Sequence, residues 1–271
     1  MRSFALSLQN PRKNSLFMQI ILSSAKIMKT RTTATAPLSS QAAFRQEAGL
    51  FAQEMGLWEE EDIARELHCN LEIARENKRR FARFPYDGEG LPALLAYHGQ
   101  AYKYLKADTF SADDFRFAQQ HLFIPSFLYG LLRPLDLILP YRMEGNVKLE
   151  ATDNQTFFAY WRPRLTQMLI DAVQADDGIL VHLTTGEFEH VFDWKRVKRE
   201  VRVVQPLFYV DDGRRLKTIV VHAKSCRGAM TRHIILNRLS RPEDMNDFEL
   251  NGFKYNARFG DADHPHFILD M

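Results

Sequence analysis

Residues 128–144 read Leu-Tyr-Gly-Leu-Leu-Arg-Pro-Leu-Asp-Leu-Ile-Leu-Pro-Tyr-Arg-Met-Glu, a stretch that places four charged residues among leucines and contains two prolines. Burying an unpaired charge is costly, so an ordinary buried segment does not carry this many. An ordinary loop does not carry this many leucines. The stretch therefore predicts a rigid, apolar scaffold around a built site, in which Arg133 and Arg142 bind an anion while Asp136 and Glu144 orient them.

The overall composition is typical of a globular protein, with 271 residues, 45% of them hydrophobic and 26% charged. This length allows one large domain or two small ones. No apolar run approaches the roughly 20 residues that span a bilayer. Two cysteines, Cys69 and Cys226, are too few and too far apart for a disulfide framework, which favours a reducing compartment. Residues 1–17 lack the features of a signal peptide, so we expect either a natural start at Met18 or a disordered extension.

Charge is unevenly distributed although the net charge is only +2. Residues 194–241 contain 13 Lys and Arg against 3 acids, which gives 13 − 3 = +10, and residues 47–76 contain 2 bases against 9 acids, which gives 2 − 9 = −7. Residues 242–271 are again acidic, with 7 acids against 2 bases. A basic block between acidic ones suits an anionic partner. The alternative is that the acidic and basic faces pair with each other or are solvated.

Hydrophobic periodicity and turn residues predict a mixed α/β fold, a single compact domain over residues 18–271 with a central mixed sheet surrounded by helices. Asn70 is expected to cap one helix, and Ser111 to Asp114 to form a capping box on another. Pro163 is expected in the first turn of its helix or at a kink. The predicted strands are 18–24, 91–97, 179–183, 201–210 and 216–222, with a last short strand within 248–259. The predicted helices are 44–55, 59–67, 71–83, 111–122, 158–173 and 228–239.

The segment Ala223-Lys-Ser-Cys-Arg-Gly-Ala-Met230 predicts an anion site. It is expected to leave a strand, turn at Gly228 and enter a helix, which would present backbone N–H groups, Lys224 and Arg227 to a phosphate or carboxylate. The glycine pattern is neither a Walker loop nor a dinucleotide fingerprint. The alternative is a plain helix start with solvated basic residues.

Two further residues are candidates for chemistry. Lys26 follows the first strand, and ligand sites collect at the carboxyl ends of strands in α/β sheets; it could bind an anion or act as a nucleophile, or be a simple exposed lysine. Glu187 follows the strand at 179–183 and could be a general base, although a structural ion pair is the favoured interpretation. These two are the catalytic candidates.

The paired helices at 59–83 predict a helical hairpin with a basic end formed by Lys78, Arg79, Arg80 and Arg83. Such hairpins can bind the DNA backbone through amides and basic side chains, without sequence preference. The hinge lacks the glycines usual in a helix-hairpin-helix, and the first helix is acidic. A packing hairpin is therefore an equal alternative.

Neither a metal site nor a cofactor is predicted. The histidines lack the spacing and cysteine partners of metal ligands, and the sequence has no nucleophile elbow. Cys226 beside Arg227 could have a lowered pKa and react with oxidants, but a small residue without a role is the simpler interpretation.

Several separated motifs resemble, in their order, the YaaA family of bacterial peroxide stress proteins over residues 18–259. They are Ser24-Ala-Lys26, Tyr97-His-Gly-Gln-Ala-Tyr102, the stretch from Leu128 to Asp136 with Pro140-Tyr-Arg142, Tyr160-Trp161, and Lys224 with Arg227-Gly228. The resemblance implies a cytoplasmic protein that limits iron-linked peroxide damage, a compact α/β domain with a positively charged cleft, and DNA binding that includes a helix-hairpin-helix element.

The chain departs from the family pattern at a few positions. Ser-Pro-Ala-Lys becomes Ser23-Ser-Ala-Lys26, Ser-Gly-Leu-Tyr-Gly becomes Ser126-Phe-Leu-Tyr-Gly130, and Ser-Asp-Glu-Tyr becomes Thr185-Gly-Glu-Phe188, while Cys226 replaces the usual alanine. The missing aspartate at Gly186 puts shared acid/base chemistry there in doubt.

Three hypotheses follow. The first is a monomeric, sequence-independent binder of double-stranded or structured DNA, with Lys26, Arg133, Arg142, Lys224, Arg227 and Gly228 at a basic cleft. The second is an enzyme that acts on a small anionic or nucleotide-like substrate in the same cleft. The third is direct iron sequestration. A groove wide enough for a duplex favours the first, and a narrow closed pocket the second.

Overall fold

The computed structural model describes residues 16–84, 88 and 90–270, so the predicted extension lies outside the described residues up to position 15. Helices within this range are α1 Arg45–Leu57, α2 Glu60–Glu66, α3 Leu71–Arg83, α4 Ala93–Ala96, α5 Gln100–Leu105, α6 Ala112–His121, α7 Phe157–Gln174, α8 Gly186–Glu189, α9 Trp194–Glu200 and α10 Val220–Asn237. The strands are β1 Gln19–Leu22, β2 Ser40–Gln41, β3 Leu91–Pro92, β4 Leu122–Ser126, β5 Gly130–Leu132, β6 Asp136–Ile138, β7 Ile179–Leu183, β8 Arg202–Val204, β9 Leu207–Asp211, β10 Leu216–Lys217, β11 Glu249–Leu250, β12 Phe253–Gly260 and β13 Pro265–Asp270. The predicted mixed α/β class is confirmed.

The main sheet has the strand order β5-β4-β1-β7-β8. Its three central strands, β4, β1 and β7, run parallel. β1 is a continuous apolar run after its first residue and is fully buried, as expected for a parallel strand that is covered on both faces. β5 is the edge strand of this sheet and runs antiparallel to β4. Residues 128–144 therefore begin beside the carboxyl end of β4.

Two further sheets, one of five strands and one of three, accompany this one. The first has the order β10-β9-β13-β12-β11, in which β13 pairs parallel with β9. The second joins β2, β6 and β3. The first ties the last strand of the chain to residues 207–211, a long-range pairing that local sequence patterns do not reveal.

The predicted helices of the first half are confirmed, together with their caps. The Asn70 side chain accepts a hydrogen bond from the Ile73 amide at 2.9 Å, which begins α3. Ser111 and Asp114 form the predicted capping box of α6. α3 buries Ala74 and Phe81 and packs against both α1 and α2, so the hairpin is fixed to the body of the protein.

Four element predictions in the remaining chain are wrong or partly wrong. Residues 91–97 form strand only over Leu91–Pro92 and then a short helix. The single strand expected at 201–210 is broken at Gln205–Pro206, because proline has no backbone N–H to donate to a neighbouring strand. The two halves join different sheets. Pro163 is the seventh residue of α7, so the predicted place in the first turn is wrong, and the alternative of a kink there stays a prediction.

The fourth correction concerns α10, which begins eight residues before the predicted start and replaces the strand expected at 216–222 beyond Lys217. Gly228 lies inside this helix rather than at a turn. A Cβ atom there would lie 1.8 Å from the carbonyl oxygen of Ala101 on α5. The glycine is therefore needed for close packing between α10 and α5. No helix in the described part of the chain is long and apolar enough to cross a membrane.

Candidate functional site

A cavity of about 300 Å³ opens beyond the carboxyl ends of β1 and β7, and Phe127, which follows β4, also lines it. In the sheet order, the connection from β1 leads to β4 on one side, and the chain later returns to β7 on the other. Such a switch point leaves a crevice between the loops that follow the strands, and ligands bind there in open α/β sheets. The predicted position of the site at the ends of strands agrees with this geometry.

The basic cavity, as we call it, brings together five of the residues singled out in the sequence: Lys26, Arg142, Glu187, Lys224 and Arg227. Lys26 comes from the loop after β1, Arg142 from residues 128–144, Glu187 from α8, and the last two from α10. The other side chains and backbone that line it belong to Leu22, Ser23, Ser24, Ala25, Ile27, Gly99, Gln100, Ala101, Tyr102, Phe127, Tyr141, Met143, Leu183, Thr185 and Phe188.

One buried carboxylate holds two of the cations. Glu144, 5% exposed, accepts hydrogen bonds from Lys26 Nζ at 2.6 and 2.8 Å, and its Oε1 lies 3.3 Å from Arg142 Nη2. Arg142 also donates to the carbonyl oxygen of Leu67 at 3.3 Å. Its buried Nε has no hydrogen-bond partner among the described residues. The predicted orienting role of Glu144 therefore has a physical basis.

A group of buried hydroxyls beneath these charges was not singled out as functional from the sequence. The Tyr141 hydroxyl lies 2.7 Å from that of Tyr97 and 2.6 Å from Ser126 Oγ, and Tyr102 donates to the Ser23 carbonyl at 3.1 Å. Burial raises the pKa of Tyr141 to about 12. These phenols stay neutral and fix the cavity wall. The signal available was that Tyr97, Tyr102 and Tyr141 all belong to the motifs quoted above.

The α10 cations reach the cavity from inside a helix, so the predicted strand-to-helix anion turn is wrong. Backbone amides from Lys224 to Gly228 follow the first turn and are available only for intrahelical bonds. Lys224 is exposed and Arg227 is half-buried. Neither side chain makes a hydrogen bond or ion pair with a described residue. Gly228 faces α5 and offers no amide to a ligand.

Arg227 also faces a buried histidine below the cavity. Burial, followed by the charge of Arg227, lowers the pKa of His182 to about 3. His182 Nε2 lies 3.1 Å from Thr184 Oγ1 and 3.4 Å from a Glu189 carboxylate oxygen. Burial lowers the pKa of Arg227, and the charge of Glu189 counteracts this. Because His182 is neutral near pH 7, Arg227 is the cation of this pair.

Glu187 and Arg133 depart from expectation. Glu187 is exposed at the cavity rim, and no described residue pairs with it, so the favoured structural ion pair is absent from this part of the chain. Arg133 does not line the cavity. Its guanidinium donates to the Gln120 carbonyl at 3.1 Å and lies 3.5 Å over the Phe123 ring. The Arg133 side chain therefore stabilises the start of β4. Because it does not line the cavity, its predicted role as an anion ligand in the cleft is wrong.

Asp136 orients the backbone of Arg133 rather than its side chain. It accepts from the Arg133 amide at 2.8 Å and from Ser40 Oγ at 2.6 Å. Burial lowers the pKa of Arg133 to about 10. Both residues therefore stabilise the fold near the three-stranded sheet, in which β6 pairs with β2.

The hairpin presents fewer open cations than its sequence predicts. Lys78 pairs with Glu59 at 3.0 Å, and Arg80 pairs with Glu76. Arg79 and Arg83 are exposed. The hinge amides of His68 and Cys69 bond back to carbonyls of Arg65 and Ala64, so they are not presented to phosphates as predicted.

Metal and thiol chemistry find little support in the described range. Residues 16–84, 88 and 90–270 contain no group of three or more His, Cys, Asp or Glu that could hold a metal ion. Both cysteines are free. Burial raises the pKa of the Cys226 thiol to about 12, so this thiol does not form the reactive thiolate considered from the sequence.

Comparison with known proteins agrees with the motifs. Residues 18–259 match the family described as "Peroxide stress protein YaaA". A UPF0246 protein of Bacteroides thetaiotaomicron is 43% identical over 255 residues, covering 94% of this chain and 99% of the relative. Similar proteins occur in Phocaeicola vulgatus, 43% identical with the same coverage, and Bacteroides fragilis, 44% identical over 90% of this chain and 95% of the relative. The chain belongs to the YaaA family of peroxide stress proteins.

Proposed function

We propose that this peroxide stress protein binds DNA through its phosphate backbone, without sequence preference, at the rim of the basic cavity. The observation that carries this proposal is the convergence of Lys26, Arg142, Lys224 and Arg227 on one cavity. Among the described residues that line it, Glu187 is the only acidic one. Cations that neutralise phosphates release condensed counterions, which drives binding to any sequence.

The hairpin has a secondary role in this proposal. Its hinge is joined to the cavity wall by the hydrogen bond from Arg142 to the Leu67 carbonyl, so a DNA strand at the rim can extend along α3. Lys78 and Arg80 already have carboxylate partners, and exposed pairs of this kind contribute little energy. Arg79, which is exposed, is the side chain that we expect to add a backbone contact.

Protection against iron-linked damage follows from DNA binding in this proposal. Ferrous ions belong to the cations that gather around DNA phosphates, and a protein that neutralises those phosphates displaces such counterions. We therefore assign the protein a shielding role at DNA, as a monomer in the cytoplasm, rather than direct iron sequestration, for which the described residues offer no ligand cluster.

Fluorescence anisotropy with labelled duplexes of two unrelated sequences, measured over a range of salt concentrations, tests the proposal. We expect equal affinity for both sequences and a linear fall of log K with log salt, with a slope of about −0.9 for each phosphate neutralised. Absence of binding at low salt would reject DNA as the partner.

The small size of the cavity favours a second candidate function, an enzyme that acts on a small anionic or nucleotide-like substrate. Glu187 is then the candidate general base and Lys26 the second candidate, although Lys26 is held by Glu144. Mass spectrometry of mononucleotides incubated with the protein tests this function. A product that forms with the natural chain but not with Glu187→Gln would favour it, and unchanged mononucleotides would reject it for this substrate class.

A further inference from the structure

Two adjacent cations of the basic cavity lack the carboxylate partner that the others have. Lys26 and Arg142 share Glu144, whereas Lys224 and Arg227 form no hydrogen bond or ion pair with any described residue. These two are three positions apart on α10 and therefore lie on the same helix face. Arg227 is half-buried and lines the cavity, and its guanidinium makes no hydrogen bond to a described residue. This arrangement suits an anionic oxygen, above all a phosphate.

Apolar and aromatic side chains form the inner wall beside these cations. Leu22, Phe127, Leu183 and Phe188 line the cavity and are each at most 7% exposed. The Phe127 and Phe188 rings are stacked, with centroids 4.8 Å apart and planes 12° apart. A flat aromatic ligand covers such a wall well, and stacking of a nucleobase on aromatic side chains contributes about 1–3 kcal/mol.

Polar groups at the rim are suited to the edge of a base. The exposed Glu187 carboxylate accepts hydrogen bonds, which matches exocyclic amino groups. Gln100 also lines the cavity; its amide nitrogen donates to Ser225 Oγ at 2.9 Å, which leaves its carbonyl oxygen as an acceptor. A ligand with a phosphate, a flat apolar ring and polar ring edges satisfies all three parts of the cavity.

The volume decides how much of a nucleic acid can enter. At about 300 Å³, the cavity is at the small end of ligand pockets. A DNA duplex does not fit into this cavity, because its major groove alone is about 12 Å wide. The cavity can therefore take at most a small part of a nucleic acid, such as one nucleotide that has left the base stack, and the energy needed to unstack it is lowest where the base is already unpaired.

We infer that the basic cavity receives one unpaired nucleotide of DNA, with its phosphate on Lys224 and Arg227 and its base against the wall of Leu22, Phe127, Leu183 and Phe188. This inference rests on the proposed DNA binding and specifies the DNA structure that is preferred. A free mononucleotide has the same chemistry, so the test must separate the two sources.

The test uses a fully paired duplex and the same duplex with one bulged nucleotide, both measured by anisotropy with the natural chain. We expect the bulged duplex to bind about 10-fold more tightly, equivalent to about 1.4 kcal/mol. Arg227→Met should abolish this preference, so that the paired and the bulged duplex bind this variant equally, each less tightly than the natural chain binds the bulged duplex. Arg79→Met, which removes an exposed arginine from the hairpin, is the matched control and should keep the preference.

The outcomes distinguish the inference from the proposed function. Equal binding of paired and bulged DNA would overturn the inference while leaving DNA binding intact. A preference that survives in Arg227→Met would also overturn it, because the bulge would then bind elsewhere; circular dichroism and the urea midpoint of this variant establish that it is folded.

A third arm titrates deoxyadenosine monophosphate against the natural chain by calorimetry. Weak binding, far below that of the bulged duplex and lost in Arg227→Met, would support the inference. Tight binding of the free nucleotide, together with no binding of either duplex, would overturn both the inference and the proposed DNA function.

Discussion

The helical hairpin and the basic cavity are both rich in cations, but their cations have different surroundings. In the hairpin, Lys78 and Arg80 pair with acids of the same hairpin. In the cavity, Lys224 and Arg227 have no such partner among the described residues, and Lys26 and Arg142 share one carboxylate. In the sequence, the hairpin has the denser run of cations, Lys78, Arg79, Arg80 and Arg83, whereas the pairing in the structure favours the cavity.

This difference shows that the availability of a charge matters more than its presence. An ion pair on the surface contributes at most about 1 kcal/mol and is screened by salt, and its cation must leave its partner before it can bind a phosphate. A half-buried arginine with open donors needs no such exchange. The cavity should therefore dominate ligand binding.

Gly228→Ala should have the largest effect on stability. The new methyl group would lie 1.8 Å from a backbone oxygen of Ala101, so α10 and α5 must separate, at a cost of about 3 kcal/mol of unfolding free energy. Gly49→Ala in α1, where nothing lies within 4 Å, should be neutral or stabilise by up to about 1 kcal/mol. Urea unfolding of both variants measures this, and equal stability would refute the packing role.

The second prediction concerns pH. The pKa of His182 is about 3 in the folded chain against about 6.5 when unfolded. Below pH 6.5 the unfolded chain therefore binds the proton first, so stability is lost as pH falls. This loss should reach about 2 kcal/mol between pH 7 and pH 5. His182→Gln should remove this part of the pH dependence, whereas replacing the exposed His68 of the hairpin hinge with Gln should not. Urea midpoints at both pH values give the answer; identical pH profiles for the two variants would count against it.

Glu144→Gln should cost about 1–2 kcal/mol of unfolding free energy. It leaves Lys26 and Arg142 close together without their shared carboxylate, but the loss is smaller than for a fully buried pair because Lys26 is half exposed. Glu76→Gln, which breaks the pair with Arg80 in the hairpin, should cost less than about 0.5 kcal/mol. Thermal unfolding measures both. A loss at Glu76 as large as that at Glu144 would remove the distinction between the two regions.

The features predicted correctly from the sequence are those set by local interactions. Asn70 and the Ser111–Asp114 box mark helix starts because capping involves residues three positions apart. Lys26 and Glu187 were placed at the site because they follow parallel strands, whose ends share one edge of the sheet.

The features that failed depend on distant partners. Gly228 signals a turn in isolation, but its conformation is helical and its role is contact with Ala101, more than 100 positions away. Arg133 and Arg142 stand in the same stretch, yet the first turns toward the Gln120 carbonyl and the second toward Glu144. The direction of each side chain is set by how β4, β5 and β6 pair, which residues 128–144 alone do not determine.

The most direct test of the account is the salt dependence of DNA binding in two double variants. Lys224→Met with Arg227→Met removes the open cations of the cavity, and Arg79→Met with Arg80→Met removes two cations of the hairpin. The account predicts that the first pair lowers the magnitude of the slope of log K against log salt by about 1.8, or 0.9 for each lost phosphate contact. The second should change the slope by less than about 0.9. A larger drop for the hairpin variant, with the cavity variant unchanged, would contradict the account.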